Sequence, residues 1–86
     1  MVCVTSVRWL DGFVVELGFT DGATRILDLD PYLHGPVFSP HRADPSFFRS
    51  VTVDPELGTI VWPDGTDLDP EVLRWGLRPA SRDLAG

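Results

Sequence analysis

The chain has no lysine and a single cysteine, Cys3, among its 86 residues. One cysteine excludes an internal disulfide framework and fits a reducing, cytoplasmic setting. Without lysine there is no Gly-rich phosphate loop of the usual Gly-Lys kind; Asp21-Gly22 and Asp64-Gly65 read as turns. No apolar run approaches the ~20 residues that a membrane-spanning helix needs. The N-terminus lacks a basic region followed by an apolar stretch, so no secretory signal is expected. Bases are scarce as well: seven, all arginine, against thirteen acids, for a formal charge of −6. That balance repels nucleic-acid phosphates and favours either solubility alone or a basic protein partner. The missing lysine is as consistent with a GC-rich genome as with a functional demand.

What is present is one thin core. A chain of this length makes one domain and buries on the order of 60–65% of its unfolded surface. The core material is Val, Leu, Ile, five Phe and three Trp. Mean hydropathy near zero marks a globular chain, not a disordered one.

One passage occurs twice. Gly18-Phe19-Thr20-Asp21-Gly22 precedes Leu27-Asp28-Leu29-Asp30-Pro31, and Val61-Trp62-Pro63-Asp64-Gly65 precedes Asp67-Leu68-Asp69-Pro70. Each copy reads as a strand, a turn and an Asp-Pro helix start. The spacing differs between the copies, which favours convergent use of good turn and cap residues over duplication.

The pattern predicts an α+β fold: an antiparallel β-meander, a β-hairpin and two short helices. Strands are expected over Val2–Leu10, Phe13–Phe19 and Ala23–Leu29, with Arg25 facing solvent. In the second of these, Phe13, Val15, Leu17 and Phe19 alternate with more polar residues. Asp30 to Gly35 reads as one helical turn, and Pro36 and Pro40 keep Val37-Phe38-Ser39 out of any sheet. Asp44 caps a helix over Pro45–Arg49 that tucks in Phe47 or Phe48. Ser50–Val53 and Thr59–Trp62 form the hairpin around Asp54–Gly58. Asp69 caps a last helix over Pro70–Trp75, which Gly76 ends. Residues 1–78 are expected to form the domain, and 79–86 a frayed tail.

These residues resemble a known bacterial family. Gly35-Pro36-Val37-Phe38, Asp44-Pro45 with Phe47 and Phe48, Val51-Thr52-Val53-Asp54, and above all the stretch from Gly58 to Leu73 are similar to domain of unknown function 2442. Phe19, Asp21-Gly22 and Asp28-Leu29 also fit. The likeness covers about residues 4 to 75. The chain departs from the usual pattern at Trp62-Pro63-Asp64-Gly65, where Asn before Gly is common, and after Leu73, where Arg74-Trp75 replaces a common Tyr. The resemblance implies a small α+β fold with an antiparallel sheet, no catalytic residues to carry over, and a role as partner of another small protein in toxin–antitoxin-like gene pairs.

No constellation on the chain demands catalysis. His34 and His41 lie in a Pro-rich loop and read as surface residues, without the converging ligands of a metal site. Cys3 has no paired His and reads as a small buried hydrophobe on a strand. Asp28 with Asp30, and Asp67 with Asp69, have a spacing that suits paired carboxylates, but helix capping already accounts for them. No cofactor is expected. Arg74, Arg78 and Arg82 are spaced by four, yet Gly76 and Pro79 oppose a continued basic helix.

The aromatics remain open between core and contact. Trp62 and Trp75 either fill the core or stay exposed as anchors. The candidate interface is Tyr32, Phe38, Leu73, Arg74, Trp75 and Arg78. The reading is thus a non-catalytic protein-interaction module, meeting a small basic protein or a second copy of itself. The alternatives are a ligand-binding or enzymatic domain using carboxylates near Asp28 and Asp67, and a DNA-binding regulator. The absent basic stripe and helix-turn-helix pattern oppose the last.

Overall fold

Alternation of apolar and polar residues organises the first half of the chain. The computed structural model describes residues 2–76. Strands β1 (Val4–Asp11), β2 (Val14–Phe19) and β3 (Thr24–Asp28) form an antiparallel three-stranded sheet in sequence order. Along β2, Val15, Leu17 and Phe19 are buried while Val14, Glu16 and Gly18 are half-buried, so one face carries the core. The register pairs Val15 with Trp9 and Leu27, and Leu17 with Val7 and Arg25. On the other face Arg8 and Glu16, opposite each other, form an ion pair at 2.9 Å.

The middle of the chain is short helical pieces. A 3-10 turn spans Asp30–Tyr32 and a second spans Pro36–Phe38. The second runs into α1 (Ser39–Ala43), an element the sequence reading does not contain, and α2 (Pro45–Arg49) follows at once. The sequence expectation of two helices therefore becomes three. Pro40 sits in the first turn of α1, where a missing N–H costs nothing, so it starts a helix here as well as barring a strand. Asp44 caps α2 by accepting from the Ser46 amide at 3.0 Å. Of the two candidate phenylalanines, Phe48 is buried and Phe47 half-buried.

The hairpin of β4 (Thr52–Asp54) and β5 (Thr59–Val61) is antiparallel and forms a separate two-stranded sheet. It docks on the meander through the Val4 amide, which donates to the Gly58 carbonyl at 2.8 Å. The last element, α3 (Pro70–Trp75), starts and stops where the sequence places it. Asp69 accepts from the Glu71 amide, and Gly76 takes the left-handed conformation at φ 74° and donates to the Val72 carbonyl.

The core lies between the inner face of the meander and these pieces. Val15, Leu17, Leu29, Leu33, Phe48, Ile60, Trp62 and Leu73 are all buried. Trp62 is core, and its indole N–H donates to the Phe48 carbonyl at 3.0 Å. Removing that side chain costs about 3–5 kcal/mol on general grounds. Among the described residues no helix is long and apolar enough to cross a membrane. The expected tail, 79–86, and the candidate Arg78 lie outside the described residues.

Candidate functional site

Two places concentrate chemistry. The first is a shallow depression where α3 meets the turn between β2 and β3. It is lined by Val2, Thr20, Asp21, Glu71 and Trp75. Gly76 ends α3 directly after Trp75, so the indole sits on the last turn with 56% of its surface exposed. Arg74 lies against it, with its guanidinium carbon 4.2 Å from the Trp75 ring centroid. The same guanidinium pairs with Asp21 at 2.9 Å. Asp21 is held below the usual carboxylate value, first by the Ala23 amide that donates to it and then by Arg74. The depression thus offers an aromatic face, an apolar wall at Val2 and the Glu71 carboxylate, with Asp21 already engaged by Arg74.

Arg25 braces this site from beneath. The sequence reading turns it to solvent. Instead it lies on the inner face of β3, half-buried, and donates from Nη1 to the Leu73 and Arg74 carbonyls at 2.9 and 2.8 Å. The last carbonyls of a helix lack partners within it. An inward arginine supplies them, and no signal local to β3 reveals this.

The second place surrounds His41. Its imidazole is fully buried, which corrects the expectation of a surface histidine; His34 is exposed as expected. The ring sits edge-on to Phe38, Phe47 and Trp62, with centroids 4.9, 4.9 and 4.6 Å away. His41 Nε2 lies 2.7 Å from Thr66 Oγ1, and Thr66 Oγ1 donates to Asp64 at 2.7 Å. The hydroxyl has one proton, already given to Asp64, so it accepts from His41 and the tautomer is assigned as Nε2–H. Nδ1 is then a buried lone pair with no hydrogen-bond partner among the described residues. Burial lowers the His41 pKa below 6.5, against the opposing pull of Asp64 and the Phe38 backbone. Asp64 is lowered too, chiefly by the Thr66 hydroxyl and amide. A buried neutral imidazole with no open face is a structural group.

The remaining candidates separate. Phe38 is half-buried and stacks on the His41 cluster, and Tyr32 is half-buried against the core. Leu73 is fully buried in the core and presents no surface. Of the five described candidates, Arg74 and Trp75 lie together at one place. Cys3 is half-buried, just ahead of β1 and not on it. Asp28 accepts from the Asp30 amide at 3.0 Å, forming a turn, while the Asp30 carboxylate pairs with Arg42. The first 3-10 turn is therefore entered at Leu29 without a side-chain cap. Asp69 caps α3, and Asp67 sits on an isolated bridge to Val61. Among the described residues no group of three or more His, Cys, Asp or Glu is placed to hold a metal ion.

The chain matches no curated protein and no solved structure. Residues 4–79 do match a family described as a protein of unknown function (DUF2442). That span includes the meander, the hairpin and α3, and the chain belongs to that family.

Proposed function

We propose that this domain is a non-catalytic interaction module whose partner is a small basic protein, held at the Trp75 depression. The observation that carries the reading is the joint presence there of an exposed indole and the Glu71 carboxylate, which has no ion pair among the described residues, beside Asp21, whose carboxylate is held by Arg74. A tryptophan flanked by acids suits an arginine or lysine side chain, which stacks on the ring and pairs with a carboxylate. Tryptophan and arginine at a contact centre are the residue types that carry most binding energy.

Charge distribution supports the same reading. Seven of the thirteen acids fall between Asp44 and Glu71, where Arg49 is the one base. That stretch ends at the depression and draws a basic partner towards it. The proposal extends to a role as the antitoxin-like member of a bacterial, cytoplasmic gene pair, a reading that the family resemblance and the acidic charge support.

The test is co-expression with the product of the adjacent gene, followed by titration of the purified pair. Trp75→Ala is expected to weaken the complex by about 2 kcal/mol or more, and Glu71→Arg to weaken it further at low salt. Thermal melts of Trp75→Ala should stay near wild type, because the ring is mostly exposed. An adjacent gene product that is not small and basic, or a complex indifferent to both substitutions, sinks the reading.

A further inference from the structure

The meander has two edges, and they are treated differently. The β1 edge is covered at Val4, whose amide is bonded to Gly58 of the hairpin. The β3 edge has no backbone partner among the described residues. On β3 the flanking residues fix which groups point outward. Ala23 accepts from Phe19 and Leu29 donates to Phe13, so odd-numbered residues bond towards β2. By the two-residue alternation of an antiparallel ladder, Thr24, Ile26 and Asp28 turn their N–H and C=O groups to the free side.

We propose that the chain forms a two-fold symmetric dimer by antiparallel pairing of β3 with β3 of a second copy, centred on Ile26. Only one register pairs all three outward residues of both strands. It sets Ile26 opposite Ile26 and Thr24 opposite Asp28, joining two three-stranded sheets into one of six strands. The side chains agree with that register. Ile26 is β-branched and 63% exposed among the described residues. Thr24 brings a hydroxyl to the Asp28 carboxylate, and no like charges lie directly opposite.

The edge is also where two chains of charge −6 are able to meet. Arg25 and Asp28 balance within the strand. Glu16, the charge next to Ile26 on β2, is paired with Arg8. An inward charge often guards a free edge, but the Arg25 guanidinium is already bound to two carbonyls of α3. Four of the six excess acids lie in the second half of the sequence. The edge carries no lysine, proline or bulge to block pairing. This surface is separate from the Trp75 depression, and the two proposals stand or fall independently.

The test is sedimentation of the full chain from micromolar to millimolar concentration, with amide hydrogen exchange on the same samples. Wild type is expected to show a monomer–dimer equilibrium, and the Thr24, Ile26 and Asp28 amides are expected to gain protection as concentration rises. Ile26→Lys keeps the monomer fold, since the new ammonium faces Glu16 on β2, but it opposes two like charges across the axis. It should raise the dimer dissociation constant at least tenfold. Trp75→Ala should leave it unchanged. A chain monomeric throughout, or an Ile26→Lys variant that dimerises as wild type does, overturns the proposal. Protection of the three amides that is independent of concentration assigns the edge to another segment of the same chain. Loss of the dimer in Trp75→Ala assigns it to the depression.

Discussion

Arg25 and Leu73 are 48 positions apart in sequence, and the guanidinium of one donates to the carbonyl of the other at 2.9 Å. This bond ties the end of α3 to the inner face of the meander. The Leu73 and Arg74 carbonyls take the place of solvent around a half-buried arginine, and the helix end gains the donor it lacks.

Arg25→Ala is therefore expected to destabilise the domain by about 1–3 kcal/mol, the range for hydrogen bonds to a charged group and for carbonyls left without a donor. Arg25→Lys should recover part of the loss, because an ammonium reaches one carbonyl but lacks the planar fork. Urea denaturation measures both. The α3 amides should lose exchange protection before the meander does. A change below about 0.5 kcal/mol, the scale of an ordinary surface substitution, would show that the bracing contributes little.

His41 makes stability depend on pH in a stated direction. Its folded-state pKa is lowered from 6.5 by burial. The unfolded chain therefore binds the proton more readily than the folded one. The stabilising contribution is complete above pH 6.5 and is lost as pH falls from there through the lowered folded value. Protonation would place a charge inside the aromatic cluster, and the favourable pull of Asp64 and the Phe38 backbone does not offset that burial. Melting temperature should fall between pH 7 and pH 5, and His41→Gln should flatten that slope at the cost of overall stability. Asp21 and Asp64 do not contribute in this window, since their values are lowered from 3.8 and their losses come at more acid pH. An NMR titration that places His41 at or above 6.5 would contradict the assignment.

The sequence was legible where the physics is local. Asp44 and Asp69 each cap a helix within two residues of themselves, Gly76 takes the conformation that ends α3, and the alternation along β2 predicts its buried face. The failures share a different cause. Arg25 is placed by an element far along the chain, and nothing around β3 distinguishes it from a solvent-facing arginine. His41 is buried because Phe38, Phe47 and Trp62 close around it, and α1 exists because the second 3-10 turn continues through Pro40. The candidate site was half visible. Arg74 and Trp75 are neighbours in sequence, but Val2, Thr20 and Asp21 join them only through the return of α3 onto the β2–β3 turn. That juxtaposition has no sequence signature.

The joint between meander and hairpin gives the last prediction. Gly58 has φ 71°, a conformation side chains rarely adopt, and a Cβ built there would lie 2.7 Å from the Cys3 sulfur and 3.1 Å from its Cβ. Two penalties act on Gly58→Ala: the left-handed backbone costs about 1–2 kcal/mol, and the sulfur must move. Shifting the backbone to relieve the contact would lengthen the Val4–Gly58 hydrogen bond that docks the hairpin. Together these place the loss at about 2–4 kcal/mol, in the range of strain and overpacking. Cys3→Ala in the same chain removes the sulfur but leaves the 3.1 Å approach and the backbone strain, so it should restore only part of the stability. The double-mutant cycle isolates the shared term. Full additivity of the two substitutions would mean that the sulfur moves aside freely and that backbone conformation alone reserves position 58 for glycine.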